Sequence, residues 1–84
     1  MSRLSGLKPE RVIRAFIRAG WKEAGQVGSH VKLIKKNSVN ILSIPVHKKS
    51  IGIGLIRDQI AKSCLTVEEF LEFYRDCLNR DMRD

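Results

Sequence analysis

The tripeptide Gly28-Ser29-His30 is the part of this sequence best suited to chemistry. The glycine frees the turn before the histidine, and alternation of apolar and polar residues resumes after it, so the pattern places His30 at the start of a strand. An imidazole ordinarily titrates near neutrality and can both accept and donate a proton there. Lysines follow from Lys32 onward, and ammonium groups attract phosphate. The spacing alone fits a surface histidine without a role better than a reactive one.

The charge of the chain is concentrated in its first two thirds. The 84 residues carry a net charge of +7. Residues 1–57 hold 12 Lys and Arg against 2 Asp and Glu, whereas residues 58–84 hold 4 against 7. A basic half of this kind predicts an anionic partner, with nucleic acid the first choice. We expect one domain over 1–84 whose core is too small for a deep pocket, which favours a polymeric substrate over a small metabolite.

The cysteines and the hydropathy pattern bear on compartment and cofactor. Cys64 and Cys77 fall in helical, partly apolar stretches, and we expect two buried or half-buried thiols in a reduced, cytoplasmic protein. We expect no signal peptide and no apolar run long enough to span a bilayer in this sequence. We therefore predict no association with a membrane. Two Cys and two His without zinc-ligand spacing predict no metal and no other cofactor.

Apolar periodicity predicts an α-β-β-β-α order. An apolar stripe at helical spacing follows Pro9 and ends at Gly20. Alternation and turn residues then predict three strands, over 21–26, 30–36 and 39–46. A second main helix follows Gly54, and Thr66 with Glu69 forms a capping box that opens a further C-terminal helix. Residues 1–8 are predicted to be a loose arm, and residues 80–84 a frayed tail.

The predicted fold is therefore α+β, with a three-stranded antiparallel sheet and its helices on one face. Because strand side chains alternate, Val31 and Leu33 should point toward the helices. His30 and Lys32 should then share the open face of the sheet. The first helix also carries a basic stripe, made of Lys8, Arg11, Arg14 and Arg18. The stripe could extend the nucleic-acid-binding surface or contact an acidic partner. An ordinary solvated helix face explains it somewhat better than either role.

Several short motifs in order resemble the HicA toxin family, between about Pro9 and Leu71. They are Gly-Trp at 20–21, Gln-x-Gly-Ser-His at 26–30, Ile-Pro-Val-His at 44–47 with two lysines after it, and a glycine-leucine pair before the second main helix. Two departures occur. Gly25 stands where the family often has arginine, and Gly-Ile-Gly-Leu stands where Gly-Thr-Leu is more usual. Neither departure touches His30.

The resemblance implies a double-stranded-RNA-binding-domain-like fold and a small mRNA interferase of a type II toxin–antitoxin system. It implies an endoribonuclease that cuts mRNA with His30 as its single catalytic histidine, and a HicB-like antitoxin that neutralises it. We expect the free protein to be a monomer and the cleavage to need no metal. The alternatives are a non-catalytic RNA-binding module of the same fold and a structural or DNA-binding protein.

Predicted contacts to RNA surround this histidine. Lys32 and the pair Lys48 and Lys49 are expected to bind phosphates, the pair because it precedes a glycine-containing entry to a helix. Ser29 is expected either to hold the turn or to donate to a phosphate oxygen. For His47, a phosphate contact or a structural hydrogen bond ranks above a second proton transfer.

Overall fold

A three-stranded antiparallel sheet and three helices make up the fold, in the predicted α-β-β-β-α order with an added C-terminal helix. The computed structural model describes residues 4–47 and 49–83, with side chains as far as Arg75. The elements are α1 (Pro9–Arg18), β1 (Lys22–Val27), β2 (His30–Ile34), β3 (Leu42–Pro45), α2 (Ile53–Lys62) and α3 (Val67–Arg83). The strands are ordered β1-β2-β3, which confirms the α+β meander.

The central strand β2 shows the predicted alternation. Val31 and Leu33 are 5% and 0% exposed, and they pair across the sheet with Ile44 and Leu42 of β3, which are also buried. These four side chains form the sheet side of the core. The helices form the other side, where the ring centroids of Phe16 in α1 and Phe70 in α3 lie 4.9 Å apart. The other face of the sheet carries the less covered residues of β2, as predicted.

The second and third strands are shorter than predicted. β2 ends at Ile34 and β3 begins only at Leu42, whereas the sequence predicts strands reaching Lys36 and starting at Val39. Val39 is 98% exposed. The hydroxyl of Ser38 accepts a hydrogen bond from the Asn40 backbone N–H, and the Asn40 amide donates to the Lys62 carbonyl. Local side-chain bonds of this kind compete with a strand ladder, which explains the shortening.

The N-terminal arm is packed from residue 4 onward. Leu4 and Leu7 are 2% and 6% exposed. The Leu7 carbonyl accepts a 2.9 Å hydrogen bond from the Ile51 N–H, and the Lys8 N–H donates to the Tyr74 hydroxyl at 3.2 Å. The prediction of a loose arm over 1–8 is thus wrong for residues 4–8, because two leucines find core partners. Residues 1–3 lie outside the described chain.

The helix boundaries follow the predicted signals more closely. The Thr66 N–H donates to Oε1 of Glu69 at 2.9 Å, and the Glu69 N–H donates to Oγ1 of Thr66 at 3.0 Å, so the capping box is confirmed. α3 extends to Arg83, and the fraying predicted for 80–84 stays a prediction. None of the described helices is long and apolar enough to cross a membrane.

The thiol prediction is wrong for Cys64. Its side chain is exposed, because the residue follows the end of α2 in a left-handed backbone conformation with φ of 65° and points away from the core. Cys77 lies among the residues whose side chains are not described.

Candidate functional site

A two-residue turn fixes the position of His30. Val27 and His30 are register partners across β1 and β2, so Gly28 and Ser29 form the whole loop between them. Gly28 has a φ of 60°, and Cys64 is the one non-glycine residue of the described chain with a positive φ. Glycine at the first of two loop positions is the pattern of a type II′ hairpin. His30 is therefore the first residue of a paired strand, as predicted.

The side chain of Gln26 braces this turn. Its Nε2 donates a 3.0 Å hydrogen bond to the Gly28 carbonyl. A glutamine two residues before the glycine thus ties the end of β1 to the loop that precedes His30. The sequence analysis quoted this glutamine as part of a motif but assigned it no role, and the structure makes it a positioning residue for the turn.

The imidazole of His30 is open to solvent. His30 is exposed at the start of β2, and its register partners are Val27 on β1 and Pro45 on β3. Val27 is 68% exposed, so one side of the histidine is uncovered as well. Within the described residues, no side chain hydrogen-bonds or ion-pairs with the ring. The exposed ring therefore makes no bond to the described residues that a substrate would have to displace.

Lys32 lies on the same face as His30, two residues along β2. Two strand positions span about 7 Å. Lys32 is half-buried, and its Nζ donates a 3.0 Å hydrogen bond to Oγ of Ser43, its register partner on β3. One of the three ammonium N–H groups is used in this bond, which leaves two for another acceptor. Ser43 was missed by the sequence analysis, although the alternation of β3 could have placed it opposite Lys32.

Ser29 and His47 lie at the same end of the sheet as His30. The Val46 N–H donates to the Ser29 carbonyl at 2.8 Å, which continues the pairing of His30 with Pro45 by one step. His47 comes next in the chain and is exposed. This placement brings the two histidines to one end of the sheet, a proximity that could not be predicted from the sequence.

Lys49 belongs to a different surface from Lys32. It lines a cleft of about 380 Å³ together with five other residues: Lys8, Pro9, Glu10, Arg11 and Val46. We call this cleft the end groove, and the surface that carries His30, Lys32 and Ser43 the open face. Lys48 lies outside the described residues. The predicted RNA contacts are therefore divided between two adjoining surfaces instead of forming one patch.

No metal centre is visible in the described part of the chain. There, no three side chains of His, Cys, Asp or Glu gather into a group that could hold a metal ion.

The fold and the site define a small basic α+β protein with an exposed histidine on the uncovered face of its sheet. The family model described as the HicA toxin of bacterial toxin–antitoxin systems matches residues 9–63, which is more than half of the chain. The chain belongs to the HicA toxin family. The matched range runs from the first residue of α1 to the C-cap of α2 and contains the open face and nearly all of the end groove. Among curated proteins, none matches the chain.

Gly25, one of the two departures noted in the sequence analysis, lies opposite Lys32. Gly25 is the register partner of Lys32, next to a register shift between Glu23 and Gly25. Its φ is 144°, a conformation that side chains rarely adopt, and nothing lies within 4 Å of where a Cβ would be. An arginine at this position would therefore require a different path for β1, while the space above Gly25 leaves Lys32 uncovered on that side.

Proposed function

We propose that this chain is a toxin that cleaves mRNA, with His30 as its proton-transfer residue. The observation that carries the proposal is the exposed imidazole of His30 at the fixed start of β2, with the Lys32 ammonium two residues away on the same face. Membership of the HicA toxin family supports the toxin role. The strongly basic first two thirds of the chain supports an anionic polymer as substrate.

The proposed reaction uses the nucleophile that RNA itself carries. The 2′-oxygen attacks the adjacent phosphorus as its proton leaves, the bond from phosphorus to the 5′-oxygen breaks, and that oxygen takes up a proton. The products are a 2′,3′-cyclic phosphate and a 5′-hydroxyl. His30 serves one of these proton transfers and solvent, to which the open face is exposed, serves the other. One positioned proton-transfer group contributes about 10²–10⁴-fold.

In this proposal, the Lys32 ammonium stabilises the charge that builds on the phosphorane. Its bond to Ser43 holds the ammonium on the open face, so little reorganisation is needed as the charge develops. The Ser29 carbonyl accepts the bond from Val46, and its hydroxyl would donate to a phosphate oxygen. Lys49, and its chain neighbour Lys48, would contact phosphates of the RNA backbone. His47, which is exposed at the same sheet end, would contact RNA there.

The protein partner in this proposal is a HicB-type antitoxin, which the family implies. An acidic antitoxin would complement the basic half of the chain. It would inhibit by covering the open face, where an RNA strand must enter to reach His30.

The test compares His30→Ala with His47→Ala as the matched control. We expect His30→Ala to lower the rate of RNA cleavage by about 10²–10⁴-fold and to abolish growth arrest, with the dissociation constant for RNA nearly unchanged. His47→Ala, which removes a proposed RNA contact, should weaken RNA binding but keep most of the cleavage rate at saturating RNA. A substrate with a single 2′-deoxynucleotide at the scissile position should resist cleavage while all other linkages stay sensitive, and cleavage should persist in a chelator.

If His30→Ala cleaves RNA as fast as the unsubstituted protein, His30 is not the proton-transfer residue. RNA binding without any cleavage by the unsubstituted protein would instead identify a non-catalytic RNA-binding module. Cleavage of DNA at a rate similar to that of RNA would contradict the 2′-hydroxyl mechanism.

A further inference from the structure

The end groove collects three cations that come from separate parts of the chain. Lys8 is the N-cap residue of α1, Arg11 lies in its first turn, and Lys49 lies in the segment between β3 and α2. Across the described residues, no ion pair joins any of the three to a carboxylate. Glu10 is the one acidic residue that lines the groove, so its lining carries a net charge of +2. Unneutralised cations that converge on a cleft favour an anionic ligand.

The groove is held in a fixed shape by the packed arm. Leu7 is buried, and its carbonyl binds the Ile51 N–H just after Lys49 in the chain. The Lys8 N–H donates to the Tyr74 hydroxyl. The two sides of the groove are therefore tied to each other and to α3. The backbone of the groove is therefore already positioned, and the ordering cost of binding falls on the cationic side chains.

The groove adjoins the open face at the end where His30 lies. Val46 lines the groove, and the N–H of the same residue binds the Ser29 carbonyl next to His30. Pro45, the residue before Val46, is the register partner of His30. Because neighbouring strand residues point to opposite faces, the groove opens on the helix side of the sheet end. The groove and His30 therefore lie at the same end of the sheet, on its two sides.

We infer that the end groove binds the backbone of the RNA strand beside the linkage that is cut, with a phosphate between Lys49 and Arg11. This inference rests on the proposed RNA substrate. The chemistry of the groove fits a nucleotide, since its cations suit the phosphate and its apolar members, Pro9 and Val46, suit the sugar or base edge. Its volume of about 380 Å³ is within the range of small-ligand sites.

RNA binding measured in the His30→Ala background tests the groove without requiring cleavage. The variant Arg11→Gln with Lys49→Gln removes two cations from the groove. The matched control, Lys36→Gln with Arg57→Gln, removes one exposed lysine and one exposed arginine elsewhere. Each phosphate contact contributes about 0.7 to the slope of log affinity against log salt for single strands. The groove variant removes the two cations that are proposed to hold one phosphate, so it should lose about 0.7 of that slope, and the control should lose almost none.

The dissociation constant supplies a second readout. The groove variant should raise it roughly threefold to thirtyfold, and the control should raise it much less. Glu10→Gln removes the one carboxylate of the groove, so it should lower the dissociation constant for RNA. Equal slopes for the groove variant and its control would overturn the inference, as would weaker binding by Glu10→Gln.

Neutral methylphosphonate linkages show which phosphate enters the groove. A single neutral linkage, moved along the RNA, should weaken binding to His30→Ala at one position beside the scissile linkage. The same neutral linkage should cost the groove variant almost nothing, because phosphate and cations act as a coupled pair. If the neutral linkage weakens RNA binding by the same factor in the groove variant as in His30→Ala at every position, the inference is overturned.

Failure of the inference can be told apart from failure of the proposed function. If His30→Ala still cleaves RNA, the catalytic assignment falls, while the salt slopes continue to report on the groove. If His30→Ala is inactive but the groove variant binds RNA like its control, the inference alone falls. Weakened binding of the antitoxin by the groove variant, with an unchanged RNA slope, would overturn it by showing that the groove is a protein contact.

Discussion

The turn before His30 depends on Gly28, and replacing this glycine with alanine measures that dependence. Gly28 has a φ of 60°, and nothing lies within 4 Å of where its Cβ would be. The cost of Gly28→Ala is therefore one of backbone conformation and not of a clash. A left-handed conformation costs an L-residue about 1–2 kcal/mol, and the stiffer unfolded chain returns about 0.4–1 kcal/mol. The expected net loss of unfolding free energy is about 1 kcal/mol.

Thermal unfolding is the assay, because a loss of about 1 kcal/mol lowers Tm by about 4–8 °C in a domain of this size. Gly54→Ala is the matched control. Gly54 lies in α2, its site is equally open and its φ is not in the left-handed region. Alanine there should raise the stability by up to about 1 kcal/mol, because it is the better helix former.

Gly28→Asn should not restore the stability, because the first loop position of a type II′ turn lies outside the left-handed helical region that asparagine tolerates. It should melt close to Gly28→Ala and below the unsubstituted protein. If the reasoning is right, Gly28→Ala should also cleave RNA more slowly at temperatures well below its own Tm, because His30 follows the turn directly. The reasoning fails if Gly28→Ala melts like the unsubstituted protein, or if Gly54→Ala is destabilised as much.

Three further predictions concern contacts that support the site. Leu7→Ala should lose about 2–5 kcal/mol in denaturant unfolding, whereas Val39→Ala should change stability by under about 0.5 kcal/mol; equal losses would mean that the arm is not packed. Gln59→Leu should cost about 1–3 kcal/mol and speed amide exchange at Ser43, whose N–H donates to Oε1 of Gln59; unchanged exchange would contradict this. Thr66→Ala should cost about 1 kcal/mol and Thr66→Ser very little, which thermal melts can check.

The features that could be predicted from the sequence are those that depend on neighbours in the chain. The alternation around Val31 and Leu33 predicted which side of β2 is buried, and it therefore placed His30 and Lys32 on the open face. The spacing of Thr66 and Glu69 predicted the capping box because both partners lie within one helical turn. The order of short motifs resembled the HicA toxins, and the family comparison confirms that resemblance.

The errors lie where distant contacts override local signals. The arm over 4–8 has no periodicity of its own, and it is ordered by contacts with Ile51 and Tyr74, which lie more than 40 residues away in the chain. The apolar residues near Val39 favour a strand locally, but the hydrogen bonds of Asn40 hold that segment in a loop. No local pattern carries this information.

By itself, the sequence determined the fold class, the family and the strand start at His30, because periodicity, turn residues and motif order are written in consecutive positions. The tertiary structure decided which charged groups meet. It paired Lys32 with Ser43, brought His47 to the end of the sheet where His30 lies, and joined Lys49 to the cations of α1. Such meetings depend on how elements pack across the core, and side chains far apart in the chain become neighbours only when that packing is complete.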